Sequence, residues 1–233
     1  MKPVFHFVTC TNDAVRMLEC RYYIQRLFVP DGWSVEITEI PDAVSMASGY
    51  NRAIGMKPGD SARTEDVPVR IYLHQDVYIL NRFFLKNLRL LFEEYPDVGA
   101  VGMVGTPVLH ESGVMWLGSY IGNVYEPDDR PYKEEQVFDK PVIVPADAID
   151  GFLIATRADI PWREDLFDGF DFYDLSQSFE FRRNGYRTAV VMQSSPWCVH
   201  DDAHVLSLYH YNRYRKRFLS QYGQEMRCAH QTI

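Results

Sequence analysis

Cysteine is scarce: the 233 residues hold four, Cys10, Cys20, Cys198 and Cys228, and no two form a CxxC pair. That excludes a disulfide-built scaffold and a cysteine zinc site, and it predicts reduced thiols in a cytoplasmic protein. Long apolar runs are missing, since no stretch approaches the roughly 18 residues of a membrane span. The opening MKPVFHFVTCTND carries no cleavage-site pattern, so no signal peptide is expected. A basic surplus is missing too. The net charge is −8, with 24 Lys and Arg against 32 Asp and Glu, which argues against duplex nucleic acid as a partner. Internal repeats and low-complexity tracts are absent. So are a Walker-type loop, a GxGxxG turn, HExxH and a GxSxG elbow. Common ATPases, dehydrogenases, zinc proteases and serine hydrolases lose support accordingly.

What is present suffices for a sizeable core: 46% of the residues are hydrophobic and 24% charged, ordinary values for one large α/β domain. Val4–Thr9 reads as a strand, and Asn12 or Asp13 can cap a helix whose apolar face is Val15, Leu18 and Tyr22. Val35–Ile40 alternates like a second strand, and Ser45 can cap a helix that runs toward Gly55. Residues 59–68 read as a polar loop. Val69–Leu73 is a third strand, followed by a helix capped at Asn81 and closed by Pro96, then a buried strand over Val98–Val104. This alternation predicts a mostly parallel sheet with right-handed crossovers. Ligands then bind beyond the carboxyl ends of the strands, where the polar clusters after the first and third strands sit.

The second half is less regular. Gly113–Tyr125 reads as strand and turn, 127–140 as a charged loop, and Val142–Thr156 as strand. Leu175–Asn184 looks helical, Tyr186–Val191 returns to strand, and a last helix is expected over residues 204–227. The chain divides by pattern into residues 1–105, 106–202 and a basic helix and tail over 203–233.

Four motifs could carry chemistry. In Tyr72-Leu73-His74-Gln75-Asp76-Val77, a carboxylate at the end of a buried strand can hold a hard cation, or it can merely open a turn beside a packed histidine. Around Asp168, Asp171 and Asp174, acids interleave with aromatics just ahead of a helix. Asp174 can serve as a general base or as a plain helix cap. His200, in Trp197-Cys198-Val199-His200-Asp201-Asp202, is either a metal ligand from the far side of a site or a structural histidine. Asp150-Gly151 either lets the backbone approach a ligand or makes a tight turn. The last helix carries Arg213, Arg215, Lys216, Arg217 and Arg227 against Glu225. It reads as a solvated basic face or as a peripheral contact for anionic lipid or a partner.

Taken together, four stretches resemble a family 2-type glycosyltransferase of the GT-A fold, in the branch named after a streptomycin-biosynthesis protein domain. They are Phe7–Asp13, Ser45–Asn51, Tyr72–Val77, and Asp150-Gly151-Phe152 followed by Phe170–Gly185. The resemblance implies a Rossmann-like nucleotide-diphospho-sugar transferase fold with a mostly parallel sheet flanked by helices. It implies an inverting transfer of a sugar, from a UDP-sugar by default, to an acceptor hydroxyl. Asp76 falls on the last carboxylate of the family's DxD metal motif, His74 stands where that motif begins with Asp, and His200 matches a histidine that completes the site for Mn²⁺ or Mg²⁺. Thr9, Thr11 and Asn12 match a nucleotide-contacting loop, Glu39 and Asp42 lie near a second, and Asn51, His74 and Gln75 fall on the donor side. Asp174 matches the catalytic Asp of a Glu-Asp pair in which Tyr173 replaces the Glu. Asp150, Gly151 and Asp171 fall toward the acceptor, with Trp116, Trp162 and Tyr173 as sugar-stacking candidates.

The expected partners are a nucleotide-sugar and a glycan, lipid-linked or small-molecule acceptor, as in polysaccharide biosynthesis. The protein is expected in the cytoplasm or peripherally at the inner face of a membrane, through 204–227. The sugar, the acceptor and the oligomeric state stay open. So do two rival readings: a degenerate nucleotide- or glycan-binding domain, and a sugar nucleotidyltransferase.

Overall fold

A computed structural model describes residues 2–55, 68–127, 141–202 and 207–230, without the side chains of 227–230. The loops expected over 59–68 and 127–140, the start of the basic helix and the Cys228 thiol therefore fall outside the described residues or at their edge.

Strand β1 (Val4–Thr11) leads into α1 (Ala14–Gln25), β2 (Ser34–Pro41), α2 (Met46–Gly55), β3 (Val69–Leu73) and a short β4 (Val77–Ile79). Next come α3 (Phe84–Glu94), β5 (Val98–Gly102), β6 (Val104–Thr106) and β7 (Ile121–Gly122). The chain then forms β8 (Val142–Pro145), β9 (Ala148–Ile149), β10 (Leu153–Thr156), α4 (Tyr173–Arg183), β11 (Arg187–Met192), β12 (Cys198–His200) and α5 (Leu208–His230).

Seven strands make the central sheet in the order β2-β1-β3-β10-β5-β11-β8. Five run one way, while β10 and β8 oppose them. The mostly parallel sheet flanked by helices is as expected. The insertion of β10 between β3 and β5 is not something local pattern showed. Strand β3 is buried along its whole length, as a strand covered on both faces must be. Its side chains alternate between two cores: Ile71 and Leu73 pack with Met17, Ile24 and Leu88, and Tyr72 packs with Tyr50, Phe179 and Phe218.

Asp13 caps α1 by accepting from the amides of Val15 at 2.9 Å and Arg16 at 3.1 Å. Ser45 and Ser48 close a reciprocal box at the start of α2. Two expectations fail. Val15 is 77% and Leu18 68% exposed, and α1 turns Met17, Cys20 and Ile24 inward instead. The strand expected over Val98–Val104 breaks at Met103 into β5 and β6, which belong to different sheets. Cys10, Cys20 and Cys198 are free thiols. Among the described residues, no helix is long and apolar enough to cross a membrane.

Candidate functional site

The carboxyl ends of β1 and β3 open into a cleft of about 400 Å³ lined by Thr11, Asn12, Asp42, His74, Asp76 and Phe170 among others. A second hollow of similar size adjoins it, sharing Thr11, Asn12 and Asp42 and adding Glu39 and Leu18. This is where a parallel sheet leaves room for a ligand.

At the end of β3 the chain turns sharply. The His74 amide donates to the Phe152 carbonyl at 2.9 Å, and the Val77 amide reaches back to the His74 carbonyl. Strand β4 then pairs antiparallel with β12, setting His200 opposite Val77. That register carries His200 to the side of Asp76, with its Nε2 3.7 Å from Asp76 Oδ1. One donor atom each from His74, Asp76 and His200 lie within 4.8 Å of one another. Asp76 Oδ2 accepts from Arg16 Nη1 at 3.2 Å. Oδ1 is buried and makes no hydrogen bond among the described residues. Burial pushes the Asp76 carboxyl above its ordinary range, against the pull of His200 and, more weakly, of Arg16. A buried carboxylate oxygen without a partner, facing two imidazoles, fits a divalent cation.

His74 Nε2 and the Tyr173 hydroxyl share a 2.6 Å hydrogen bond, which joins this cluster to α4. Phe172, just before α4, holds a left-handed backbone at φ 62° while 3% exposed. Its ring packs on Tyr211 and Phe218, and that packing offsets the strain. Two residues on, Asp174 Oδ2 accepts from the Gly151 amide at 3.0 Å. A Cβ on Gly151 would lie 2.2 Å from the Tyr173 oxygen and 2.9 Å from Asp174 Cβ. The absence of a Cβ therefore lets Tyr173 and Asp174 approach the backbone here. Burial, and then the neighbouring charge of Asp150, push the Asp174 carboxyl up to about 7. Burial likewise raises Asp150, whose Oδ1 accepts from the Phe152 amide at 3.2 Å.

Several predicted site residues stand elsewhere or serve another purpose. Thr9 is fully buried, so its hydroxyl does not face the cleft. Gln75 lines the cleft while its amide clips two loops together: Oε1 accepts from Thr11 Oγ1 and from the amides of Asn12 and Asp13, and Nε2 donates to Asn12 Oδ1. Asn51 holds both backbone groups of Trp162 as well as Glu164. Trp162 is 2% exposed and packs among Tyr50, Tyr72 and Tyr173, so neither it nor the 4% exposed Tyr173 offers a wall for a sugar. Glu39 pairs with Arg21. Trp116 is 55% exposed and leans on Tyr211. Asp171 is partly exposed, just ahead of α4. Asp168 ties the loop to α5 by accepting from Tyr214, Arg213 and Arg217. Part of the expected basic face of α5 is thus spent inside the molecule.

Sequence reasoning missed Arg16, which reaches Asp76 from α1. Its signal was slight, a cation one turn after the Asp13 cap. The His6–Arg70–Asp159 cluster at the other end of the sheet was missed as well.

A family model described as "Glycosyltransferase like family" matches residues 6–222. Among solved structures, TarS from S. aureus superposes with a TM-score of 0.53 at 12% identity, over 94% of this chain and 43% of TarS. A mannosyltransferase from Pyrobaculum calidifontis, solved in complex with GDP-Man and Mn²⁺, superposes with a TM-score of 0.53 at 16% identity. That match covers 96% of this chain and 64% of the mannosyltransferase. The chain thus spans less than half of TarS and just under two thirds of the mannosyltransferase. At these identities the likeness fixes the fold alone, and the fold is GT-A. No curated protein sequence matches.

Proposed function

The chain belongs to the glycosyltransferase-like family that it matches over residues 6–222, and from that premise we propose that it moves a sugar from a nucleoside-diphosphate sugar to an acceptor hydroxyl, with inversion. The observation that carries this reading is the meeting of His74, Asp76 and His200 at the cleft, with a buried Asp76 oxygen left without a hydrogen bond. A divalent cation held there would stabilise the diphosphate as it leaves. Two imidazoles and one carboxylate suit Mn²⁺ better than Mg²⁺, which prefers oxygen shells. The similar mannosyltransferase was solved with GDP-Man and Mn²⁺, and a TarS fragment with UDP-GlcNAc. A UDP-sugar is the default donor.

Thr11, Asn12 and Asp42 line both hollows and are the proposed contacts for the nucleoside. Asp174 is the proposed base: Oδ2 is held by Gly151, and Oδ1 takes the acceptor proton. A carboxyl raised to about 7 suits proton transfer near neutrality. Asp150 supplies the second negative charge that keeps Asp174 basic. Asp171 and Trp116 lie on the proposed acceptor side, where a glycan, a lipid-linked sugar or a small molecule would bind. The hydrogen bond between Tyr173 and His74 keeps the base-bearing helix in register with the cation cluster.

A thermal-shift screen tests the donor half of this reading, with UDP, GDP, CDP and dTDP, each with and without Mn²⁺. A ligand that binds only the folded state raises the midpoint. One nucleotide should stabilise the wild type only with Mn²⁺, and Asp76→Ala should lose that response. A flat result with every nucleotide would sink the proposal and favour a domain that binds a glycan without turning it over.

A further inference from the structure

We propose that Arg16 is a positioning residue that presents a single oxygen of Asp76 to the cation and offsets the charge of that carboxylate, so that the cation binds well only together with a nucleoside diphosphate. This inference rests on the cation reading of His74, Asp76 and His200. The Asp13 cap fixes the first turn of α1, since Asp13 Oδ1 accepts from the Arg16 amide itself at 3.1 Å. From there Arg16 Nη1 donates to Asp76 Oδ2 at 3.2 Å and to the Asp201 carbonyl at 2.8 Å. The Asp201 amide in turn donates to the Asp76 carbonyl at 2.9 Å. One guanidinium therefore ties together the segment carrying Asp76 and the segment carrying His200. It takes up Oδ2 and leaves Oδ1, which has no hydrogen bond among the described residues, 3.7 Å from His200 Nε2. A partner that holds one side of a ligating group sets the direction of the other side.

The electrostatic consequence follows from the donor set. Asp76 is its one carboxylate, and Arg16 places a permanent positive charge on the far oxygen of that carboxylate. A divalent ion arriving alone meets a carboxylate already paired. A nucleoside diphosphate brings anionic oxygens beyond the single carboxylate of that donor set among the described residues, so each ligand should tighten the other.

Mn²⁺ titration followed by the electron paramagnetic resonance signal of the free ion reads this without any turnover. In the wild type, saturating UDP or GDP, whichever stabilises the protein, should tighten Mn²⁺ binding by about tenfold or more. Arg16→Gln keeps a donor for Oδ2 and removes the charge. It should tighten Mn²⁺ binding to the nucleotide-free protein by about tenfold, from the lost repulsion of a nearby unit charge. Arg16→Lys keeps the charge and should stay within about twofold of wild type. A merely structural arginine would weaken Mn²⁺ binding, or leave it unchanged, when replaced by Gln. Either result overturns the proposal. Should Arg16→Gln fail to fold, the wild type still decides, because nucleotide that leaves Mn²⁺ affinity unchanged overturns the inference. Wild type that binds no Mn²⁺ with or without nucleotide overturns the cation reading itself, and this inference with it.

Discussion

The two ends of β3 hold charged clusters built around a histidine, and they are finished differently. At the amino end, Arg70 is 2% exposed and donates to both Asp159 oxygens, at 2.6 and 2.9 Å, and to His6 Nδ1 at 2.6 Å. His6 Nε2 meets Thr38 Oγ1 at 2.7 Å. This cluster is closed. At the carboxyl end, Asp76 keeps a buried oxygen without a hydrogen bond beside two imidazoles, and Asp174 sits near Asp150 with its carboxyl pushed up to about 7. A buried charge is tolerated when it is paired, and an unpaired one demands a ligand or a task. The amino end has the chemistry of a staple and the carboxyl end that of a site.

The comparison breaks most sharply if the carboxyl end proves dispensable. Asp174→Asn should reduce turnover by about a hundredfold to ten-thousandfold, the usual worth of a positioned base. Nucleotide-dependent stabilisation should persist, because Asp174 is not among the proposed nucleoside contacts Thr11, Asn12 and Asp42, which line the cleft. Sugar transfer measured in the presence of Mn²⁺ decides this, and near-wild-type rates would remove Asp174 from the chemistry. The amino end should fail in the opposite manner. Asp159→Ala leaves the Arg70 guanidinium buried without its carboxylate, at a cost of about 3 kcal/mol in unfolding free energy. Transfer per folded molecule should change little. Urea unfolding together with a rate assay separates the two, and a large loss of rate at unchanged stability would mean that the staple reading is wrong.

How far the sequence spoke depends on the range of the interaction. Strand β3 matches its expected bounds, and Asp13 caps α1, because strand burial and helix capping are local. The face of α1 was misassigned for a physical reason. Val15, Leu18 and Tyr22 share their spacing with Met17, Cys20 and Ile24, so the helix carries two apolar stripes. Only packing against the sheet chooses between them. Asp76 and His200 were legible as residue types, but their meeting depends on the pairing of β4 with β12. Asp150 and Asp174 approach because β10 inserts between β3 and β5, which no short-range pattern announces. Gln75 and Asn51 lay in the right stretches, and with Trp162 they brace the site. A motif's position does not reveal whether a side chain points at ligand or at backbone.

The smallest effect sharpens the comparison through pH. Burial, then the Arg70 charge, hold His6 down at about 4 from an ordinary 6.5. The unfolded chain therefore takes up that proton first. The stability tied to His6 is fully present above pH 6.5 and is lost as pH falls toward 4, by up to about 3 kcal/mol. Asp174 has the opposite sign: raised from 3.8 to about 7, it binds a proton sooner in the folded state. Its contribution is fully present below about pH 4 and is lost as pH rises through about 7. Between pH 4 and 6.5 the two slopes oppose each other. Relative to wild type, Asp174→Asn should therefore lose stability progressively on acidification, and His6→Gln should gain it. Chemical denaturation at four pH values from 4.5 to 7.5 measures both differences. Curves that stay parallel to wild type for both variants would show that neither end of β3 titrates as its burial demands.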